Sequence, residues 1–215
     1  MMVENQKVLR RCQWVSPPNL GWLLYSLDYK EIDYIWKSIE NQKHNINNTL
    51  AGNISKSFEL EDSNDWLFNH TLQPLIGVYH DQFKNLGINT PTLYEHPYVL
   101  SKWWVNYQKQ YEFNPCHDHS GIYSFVIWLK IPVEFDDQNK DNIANTPIRS
   151  GFQIHYDDIL GGHHTFTYEL GKKYEGQLLF FPSKLRHEVF PFYDCDEDRI
   201  SVSGNILLDE TKELL

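Results

Sequence analysis

Cysteine is scarce in this sequence, and its placement excludes a disulfide framework. The 215-residue chain has three cysteines, Cys12, Cys116 and Cys195, which are odd in number and far apart. Such cysteines are typical of free thiols in a reducing compartment. The chain also lacks an apolar run of about 18 residues, which a membrane-spanning helix requires. Its first residues, MMVENQKVLRRCQW, contain no apolar segment typical of a secretory signal. These absences predict a cytoplasmic protein without a membrane partner.

Basic residues are outnumbered and form no run. Nineteen Lys and Arg stand against 29 Asp and Glu, which gives a formal net charge of -10. An acidic surface argues against nucleic acid or an anionic membrane as the main partner. The same charge is compatible with a basic peptide or protein as a target. It leaves the oligomeric state open.

Apolar and aromatic residues are plentiful. They make up 41% and 15% of the chain, which is not the composition of a disordered protein. Thirteen Tyr and seven Trp favour a protein rich in β-structure, where wide side chains cover half-buried faces. A chain of this length can bury one substantial core, so we expect a single domain over residues 1–215.

Helical periodicity is confined to the N-terminal part of the chain. It predicts an amphipathic helix over 28–44 and a second one over about 64–84, which Pro74 should kink or divide. We therefore predict a mainly β fold of the α+β class, in which a helical part, about 1–90, packs on a β core, about 91–208. Short segments bounded by turn residues indicate a barrel or sandwich. The predicted strands are 100–107, 122–131, 152–156, 165–170, 177–181, 187–190 and 200–207.

Two histidines flank an aspartate in the stretch FNPCHDHSG, residues 113–121. Side chains at i and i+2 project from the same face of a strand, so extended structure brings His117 and His119 together and turns Asp118 away. Two adjacent imidazoles are a ready pair of metal ligands. The best candidate for a third ligand is His187, which follows an apolar strand and a turn in LLFFPSKLRHEVFPF.

Arg199 follows His187 by twelve residues, in the stretch DRISVSGN. Alternation along a strand places Arg199, Ser201 and Ser203 on one face. A guanidinium among apolar neighbours needs an anionic partner, and Arg binds carboxylates in a bidentate manner. The partner is either a carboxylate of a ligand or one of the acidic residues in the loop 194–198.

Taken together, these motifs resemble those of the 2-oxoglutarate/Fe(II)-dependent oxygenases. The resemblance extends over about 103–208 and is carried by NPCHDHSG, SFVIWLKIP, FPSKLRHEVFPF and RISVSGN in this order. It is closest to the prolyl-hydroxylase-like branch often encoded by marine phages and bacteria. The resemblance implies a double-stranded β-helix, the cupin-like jelly roll, as the core. For a phage-encoded protein it implies the host cytoplasm as the location.

The resemblance also implies an activity and its cofactors. Members couple the oxidative decarboxylation of 2-oxoglutarate to succinate with hydroxylation of a substrate, which here could be a prolyl or other peptide side chain. Fe(II) would be the metal, and 2-oxoglutarate and O₂ the co-substrates. His117 and His187 would be iron ligands, and the resemblance implies no catalytic residue beyond the metal centre. The residues that would bind 2-oxoglutarate are Arg199, Ser201, Tyr107 and Asn205.

Position 119 departs from the usual pattern of these oxygenases. Their third iron ligand is an Asp or Glu, whereas this chain has His119 there, and the nearby carboxylate of Asp118 is out of phase. Three alternatives are open. His119 completes a three-histidine site, a local bulge turns Asp118 inward, or the site binds no metal. A three-histidine site carries one more positive charge than the usual triad.

A cupin-like protein that binds a metal or a small ligand, without 2-oxoglutarate chemistry, is the alternative function. Cupins also place His-x-His before a later His on a jelly roll. Their first motif normally has a Glu three or four residues after its second His, where this chain has Ile122 and Tyr123. An Arg-x-Ser motif has no role in a cupin, so the pattern favours the oxygenase.

Apolar side chains would keep the pocket of such an enzyme dry. We expect Phe125, Ile127 and Leu129 to line it from one face of the predicted strand 122–131, with Phe180 and Val202 nearby. The remaining histidines are expected to be ordinary hydrogen-bonding or solvated side chains, namely His44, His70, His80, His96, His155, His163 and His164.

Overall fold

A computed structural model describes residues 19–213 of the chain, so the predicted free thiol of Cys12 lies outside the described residues. The α-helices of this part are α1 (Tyr29–Glu40), α2 (Gln73–Gln82) and α3 (Phe135–Asn139). The strands are β1 (Leu23–Ser26), β2 (Lys56–Glu59), β3 (Tyr98–Gln108), β4 (Asn114–His117), β5 (Tyr123–Lys130), β6 (Phe152–Asp157), β7 (His163–Tyr168), β8 (Gln177–Pro182), β9 (Arg186–Val189) and β10 (Arg199–Leu208).

The strands form two antiparallel sheets. The major sheet has the order β1-β8-β5-β10-β3-β2, and the minor sheet has the order β4-β9-β6-β7. Apart from the β6–β7 hairpin, consecutive strands from β3 to β10 alternate between the sheets, as in a jelly roll. The predicted mainly β fold with N-terminal helices and a jelly-roll core is therefore confirmed. Within residues 19–213, no helix combines the length and the apolar character needed to cross a bilayer.

The N-terminal part contains less helix than the sequence predicts. Asp28 caps α1, because its carboxylate accepts hydrogen bonds from two backbone N–H groups of the first turn. In the second predicted helix, a 3₁₀ turn, Ser63–Asp65, and a π-helical turn, Phe68–Leu72, precede α2, and Pro74 is the second residue of α2. β1 and β2 add strands to the two edges of the major sheet. Each has four residues, too few for a clear alternating pattern.

Apolar side chains cover both faces of the major sheet. One cluster packs Ile127 and Val202 against α1 and α2, and the other packs Val126 and Trp128 against the minor sheet. The prediction that one face of this sheet lines the pocket is therefore wrong for most of the five residues it named. Phe125 touches the pocket wall, but Leu129 and the rest of that set lie on the helix side. A continuous apolar run such as β5 carries no alternation that tells the two faces apart.

Candidate active site

Three imidazoles meet between the two sheets. His117 at the end of β4 and His187 on β9 are direct cross-strand partners. His119 lies two residues beyond β4, where its backbone N–H donates to the carbonyl of Ser183 over 2.8 Å. The ring centroids are 4.5–5.0 Å apart, and the candidate ligand nitrogens all lie within 4.8 Å of one another. The structure thus brings together the three histidines that the sequence pattern selects.

Backbone carbonyls orient two of these rings. The Nδ1 atom of His117 lies 2.7 Å from the carbonyl oxygen of Pro115, and that of His187 lies 2.9 Å from the carbonyl oxygen of Leu185. A carbonyl oxygen only accepts, so each Nδ1 carries the hydrogen and each Nε2 presents a lone pair. The Nε2 atom of His119 lies 3.2 Å from that of His187. Converging lone pairs with backbone-fixed tautomers are typical of a metal site.

Arg199 is a buried charge without a counter-charge. Its side chain is 1% exposed at the start of β10, and it donates to the side chain of Gln108 and to the carbonyl and hydroxyl of Ser150. Its Nε has no hydrogen-bond partner within the described part of the chain. The acidic loop does not supply one, because Glu197 pairs with Lys130 at 2.6 Å. Burial lowers the pKa of Arg199 to about 9, which leaves it charged at neutral pH.

One cavity of about 420 Å³ contains both the three imidazoles and Arg199. This volume falls in the range of about 300–1,000 Å³ found for small-molecule pockets. β3 and β10 build one wall, because their register pairs Arg199 with Gln108 and Ser201 with Asn106. The loop over residues 49–54 closes another side. A ligand in this cavity would touch the histidines at one end and the guanidinium at the other.

The site-bearing segment matches a known family. Residues 102–205, just under half of the chain, match the family model described as "Putative 2OG-Fe(II) oxygenase". This span includes the three histidines and Arg199. This segment of the chain is that of a 2-oxoglutarate/Fe(II)-dependent oxygenase. Proteins of this family use Fe(II) and 2-oxoglutarate, so the match indicates an enzyme of the 2-oxoglutarate-dependent dioxygenase class. A search of the curated proteins finds no match.

Solved structures of oxygenases share the fold. A prolyl hydroxylase from Trichoplax adhaerens, in complex with a peptide of the hypoxia inducible factor oxygen degradation domain, superposes with a TM-score of 0.53 and 13% identity, covering 89% of this chain and 84% of that one. A 2OG-Fe(II) oxygenase family oxidoreductase from Burkholderia pseudomallei gives 0.53 and 12%, covering 87% and 85%. The α-ketoglutarate-dependent epimerase SnoN of nogalamycin biosynthesis gives 0.51 and 14%, covering 87% and 76%. At these identities the likeness establishes the fold alone.

Two of the other predicted residues reach the cavity of this oxygenase. Ser201 lies on the cavity side of β10, beside Arg199, and Asn205 lies further along the same face. The Oδ1 atom of Asn205 accepts from the hydroxyl of Ser124 over 2.9 Å, which leaves its NH₂ group available as a donor. Asp118 lies at the rim, where its carboxylate is 3.3 Å from the Nζ of Lys184. The geometry brings His119, and not Asp118, to the other two imidazoles.

The structure places the side chain of Tyr107 outside the cavity. Its hydroxyl donates to the side chain of Gln42 over 3.2 Å, and its ring packs edge-on against Phe58, on the face of β3 that turns away from the cavity. The reason is the alternation of the strand, since Asn106 and Gln108 occupy the cavity side. Tyr107 is therefore not placed to bind a co-substrate.

Sequence reasoning missed the residues that hold Arg199 and His119. Gln108 is detectable in principle, because residues 104, 106 and 108 share the cavity face of β3 and the register pairs Gln108 with Arg199. Trp104, on that face, lies parallel to the His119 ring with centroids 6.1 Å apart. Ser150 lies in a loop and has a φ of 65°. No motif in the sequence points to this residue.

The imidazoles of His187 and His119 are uncharged at neutral pH. Burial, reinforced by the neighbouring His117 and His119 rings, lowers the pKa of His187 to about 3. Burial and then the His117 ring lower the pKa of His119 to about 4. Only the neutral imidazole binds a metal ion, so protons compete weakly for this site.

Acid is expected to destabilise the metal-free protein. Unfolded histidine titrates at about 6.5, whereas folded His187 and His119 titrate at about 3 and about 4. Below pH 6.5 the unfolded chain binds protons that the folded chain does not. The free energy of unfolding is therefore at its full value above that pH and falls as the pH is lowered toward 4, by on the order of 5 kcal/mol for the pair at pH 4.5.

Urea denaturation in the presence of EDTA at pH 7.5 and pH 4.5 measures this loss. A His119→Asn, His187→Gln double variant should lose markedly less stability between the two conditions. His164→Gln, an exposed histidine of the β6–β7 hairpin, should behave as the parent does. An equal loss in the double variant and the parent would contradict the assignment.

Proposed function

We propose that this protein is a 2-oxoglutarate-dependent hydroxylase in which His117, His119 and His187 hold Fe(II) and Arg199 holds the distal carboxylate of 2-oxoglutarate. One observation carries the proposal. A single cavity contains three converging imidazoles and, at its other end, a buried guanidinium without a counter-charge. The family match supports the activity, and the cavity supports the assignment of these residues.

The donor set fits the metal. Imidazole nitrogen suits Fe(II), and three protein ligands leave open positions for a co-substrate and O₂. Neutral imidazoles do not offset the charge of a divalent cation, whereas the usual triad contributes one carboxylate. 2-Oxoglutarate is a dianion, so it would bring compensating charge to both the cation and Arg199. We therefore expect metal and co-substrate to favour each other's binding.

The walls of the cavity fit the co-substrate. Arg199 and Ser201 both line the cavity, and a guanidinium without a counter-charge next to a hydroxyl suits a carboxylate that accepts several hydrogen bonds. Trp104, Val126 and Phe181 give the cavity part of an apolar wall, which would limit water around a bound co-substrate. Asn205 is placed to donate its NH₂ group on the same side. When bound, Fe(II) and 2-oxoglutarate supply the O₂ activation that couples decarboxylation to succinate with C–H hydroxylation.

We propose a peptide side chain as the substrate class. The loop over 49–54 forms an outer wall of the cavity, and Asn53 bridges Phe113 in an antiparallel manner. Beside it, the Oδ1 atom of Asn114 is buried and lacks a donor among the described residues. The similar Trichoplax adhaerens hydroxylase is seen with a peptide, which supports the proposal.

An anaerobic titration tests the function. Fe(II) followed by 2-oxoglutarate should produce the visible charge-transfer band of the chelate, and exposure to O₂ should release succinate. The same solution with Zn²⁺ in place of Fe(II) should give neither. Proline-containing peptides should then raise succinate release and gain one oxygen atom by mass. Absence of both iron and 2-oxoglutarate binding would instead support the cupin-like binding protein.

A further inference from the structure

A second pair of histidines lies on the outer face of the minor sheet. His155 on β6 and His163 on β7 belong to one hairpin, and their rings stack with centroids 5.5 Å apart and planes inclined by 21°. The Nδ1 atom of His155 lies 3.3 Å from the Nε2 atom of His163. Ile154, the neighbour of His155, points inward and pairs with His187 in the register, so the two histidine groups lie on opposite faces of one sheet.

Carboxylates fix the tautomer of both rings. The Nε2 atom of His155 lies 2.8 Å from an oxygen of Glu188, and the Nδ1 atom of His163 lies 2.9 Å from an oxygen of Asp157. An ionised carboxylate only accepts, so both of these nitrogens carry hydrogen. In neutral imidazoles the two remaining nitrogens then carry lone pairs, and they are the pair that face each other over 3.3 Å. Two lone pairs at this distance repel each other unless a proton or a metal ion lies between them.

We propose that His155 and His163 form a surface site for a transition-metal dication of the zinc type. Zn–N bonds of about 2.0–2.1 Å at a tetrahedral angle separate two ligand nitrogens by about 3.3 Å. Asp157 and Glu188 supply the carboxylate–histidine–metal arrangement that orients ligands and raises their basicity. Their two negative charges outweigh the guanidinium of Arg186, the register partner of His155. The exposed side of His163 leaves room for water as further ligands.

The consequence of this site is mechanical. β6 and β7 are joined by a short tip at residues 158–162, and they form one end of the minor sheet. A cation held between His155 and His163 cross-links the two strands close to that tip. It does so without entering the cavity, and it is independent of the proposed hydroxylase activity.

Zinc titration of the metal-free full-length protein, followed by calorimetry at pH 7.5, tests the proposal. The parent should bind two equivalents, one at each histidine group. His163→Gln should lose one equivalent and keep the other, and His187→Ala should lose the complementary one. Asp157→Asn should keep both equivalents and weaken the surface one by about 10- to 100-fold.

His164→Gln is the matched control. His164 is the next residue of β7, pairs with Asp158 over 2.8 Å and faces the other side of the sheet. It should bind two equivalents as the parent does. A shared proton is the alternative occupant of the pair, and it predicts a single zinc equivalent in the parent that His163→Gln leaves unchanged. That result, or an equal loss in His164→Gln, would overturn the proposal.

Discussion

Arg199→Met is expected to abolish 2-oxoglutarate binding without unfolding the protein. Methionine keeps the length of the side chain and removes its charge and its donors. A buried, charge-assisted contact between a guanidinium and a carboxylate is worth about 3 kcal/mol or more. The dissociation constant for 2-oxoglutarate should therefore rise by at least about 100-fold. Calorimetric titration in the presence of Mn²⁺ measures it without turnover.

Stability is expected to change far less, because two effects oppose each other. Removing a buried guanidinium without a counter-charge relieves its desolvation cost. Gln108 and Ser150 lose a donor, which costs about 1–3 kcal/mol for a buried acceptor. We expect the free energy of unfolding of the metal-free protein to shift by less than about 2 kcal/mol. An arginine that binds a co-substrate can be replaced without unfolding the protein. Replacement of a purely structural arginine should unfold it.

Arg149→Met is the matched control for this variant. Arg149 adjoins Ser150 in the sequence but is exposed, and its guanidinium lies over the ring of Tyr193 at 5.5 Å. It should bind 2-oxoglutarate as tightly as the parent. Undiminished affinity in Arg199→Met would show that another group holds the distal carboxylate.

His187→Ala is expected to remove the metal affinity of the cavity. The His187 ring is the hub of the group, because it pairs with His117 across the strands and stacks on His119 with planes inclined by 12°. Removing a ligand should cost more than the roughly 10- to 100-fold that loss of an orienting partner costs. Competition titration with Co²⁺ and a coloured chelator measures the affinity, with the His163→Gln change present in every variant to exclude the surface pair.

Two further variants identify the third ligand. Asp118→Ala should bind Co²⁺ as the parent does, because the Asp118 carboxylate is 44% exposed and pairs with Lys184. His119→Asp should retain the site and bind a dication more tightly, because it restores the two-histidine, one-carboxylate set. A loss in Asp118→Ala as large as that in His187→Ala would make Asp118 the ligand.

The sequence predicted the parts of the site that depend on short-range order. His117 and His119 share a face because of their spacing, and Ser201 follows Arg199 on the cavity side for the same reason. The burial of Arg199 also follows from its apolar neighbours.

What depends on pairing between distant strands was not predictable in this way. Tyr107 turns away from the cavity because the register of β3 with β10 decides which face of β3 lines it. Because β5 is apolar on both faces, its sequence does not show which residues face the helices. Ile127 and Leu129 were therefore predicted to line the pocket, whereas they pack against the helices. Ser150 reaches Arg199 from a loop whose path depends on the assembled sheets.

The strand pairing between His117 and His187 divides the proposed metal site into two unequal parts. These two rings sit on facing positions of β4 and β9, so the ladder of the minor sheet dictates their separation. His119 stands outside that ladder, on a turn tied down by one backbone contact to Ser183. Replacing His119 leaves every hydrogen bond between β4 and β9 unchanged. The fold can therefore hold a different donor at position 119 and still keep the His117–His187 pair in place. We expect the ligand set of related proteins to vary first at this position.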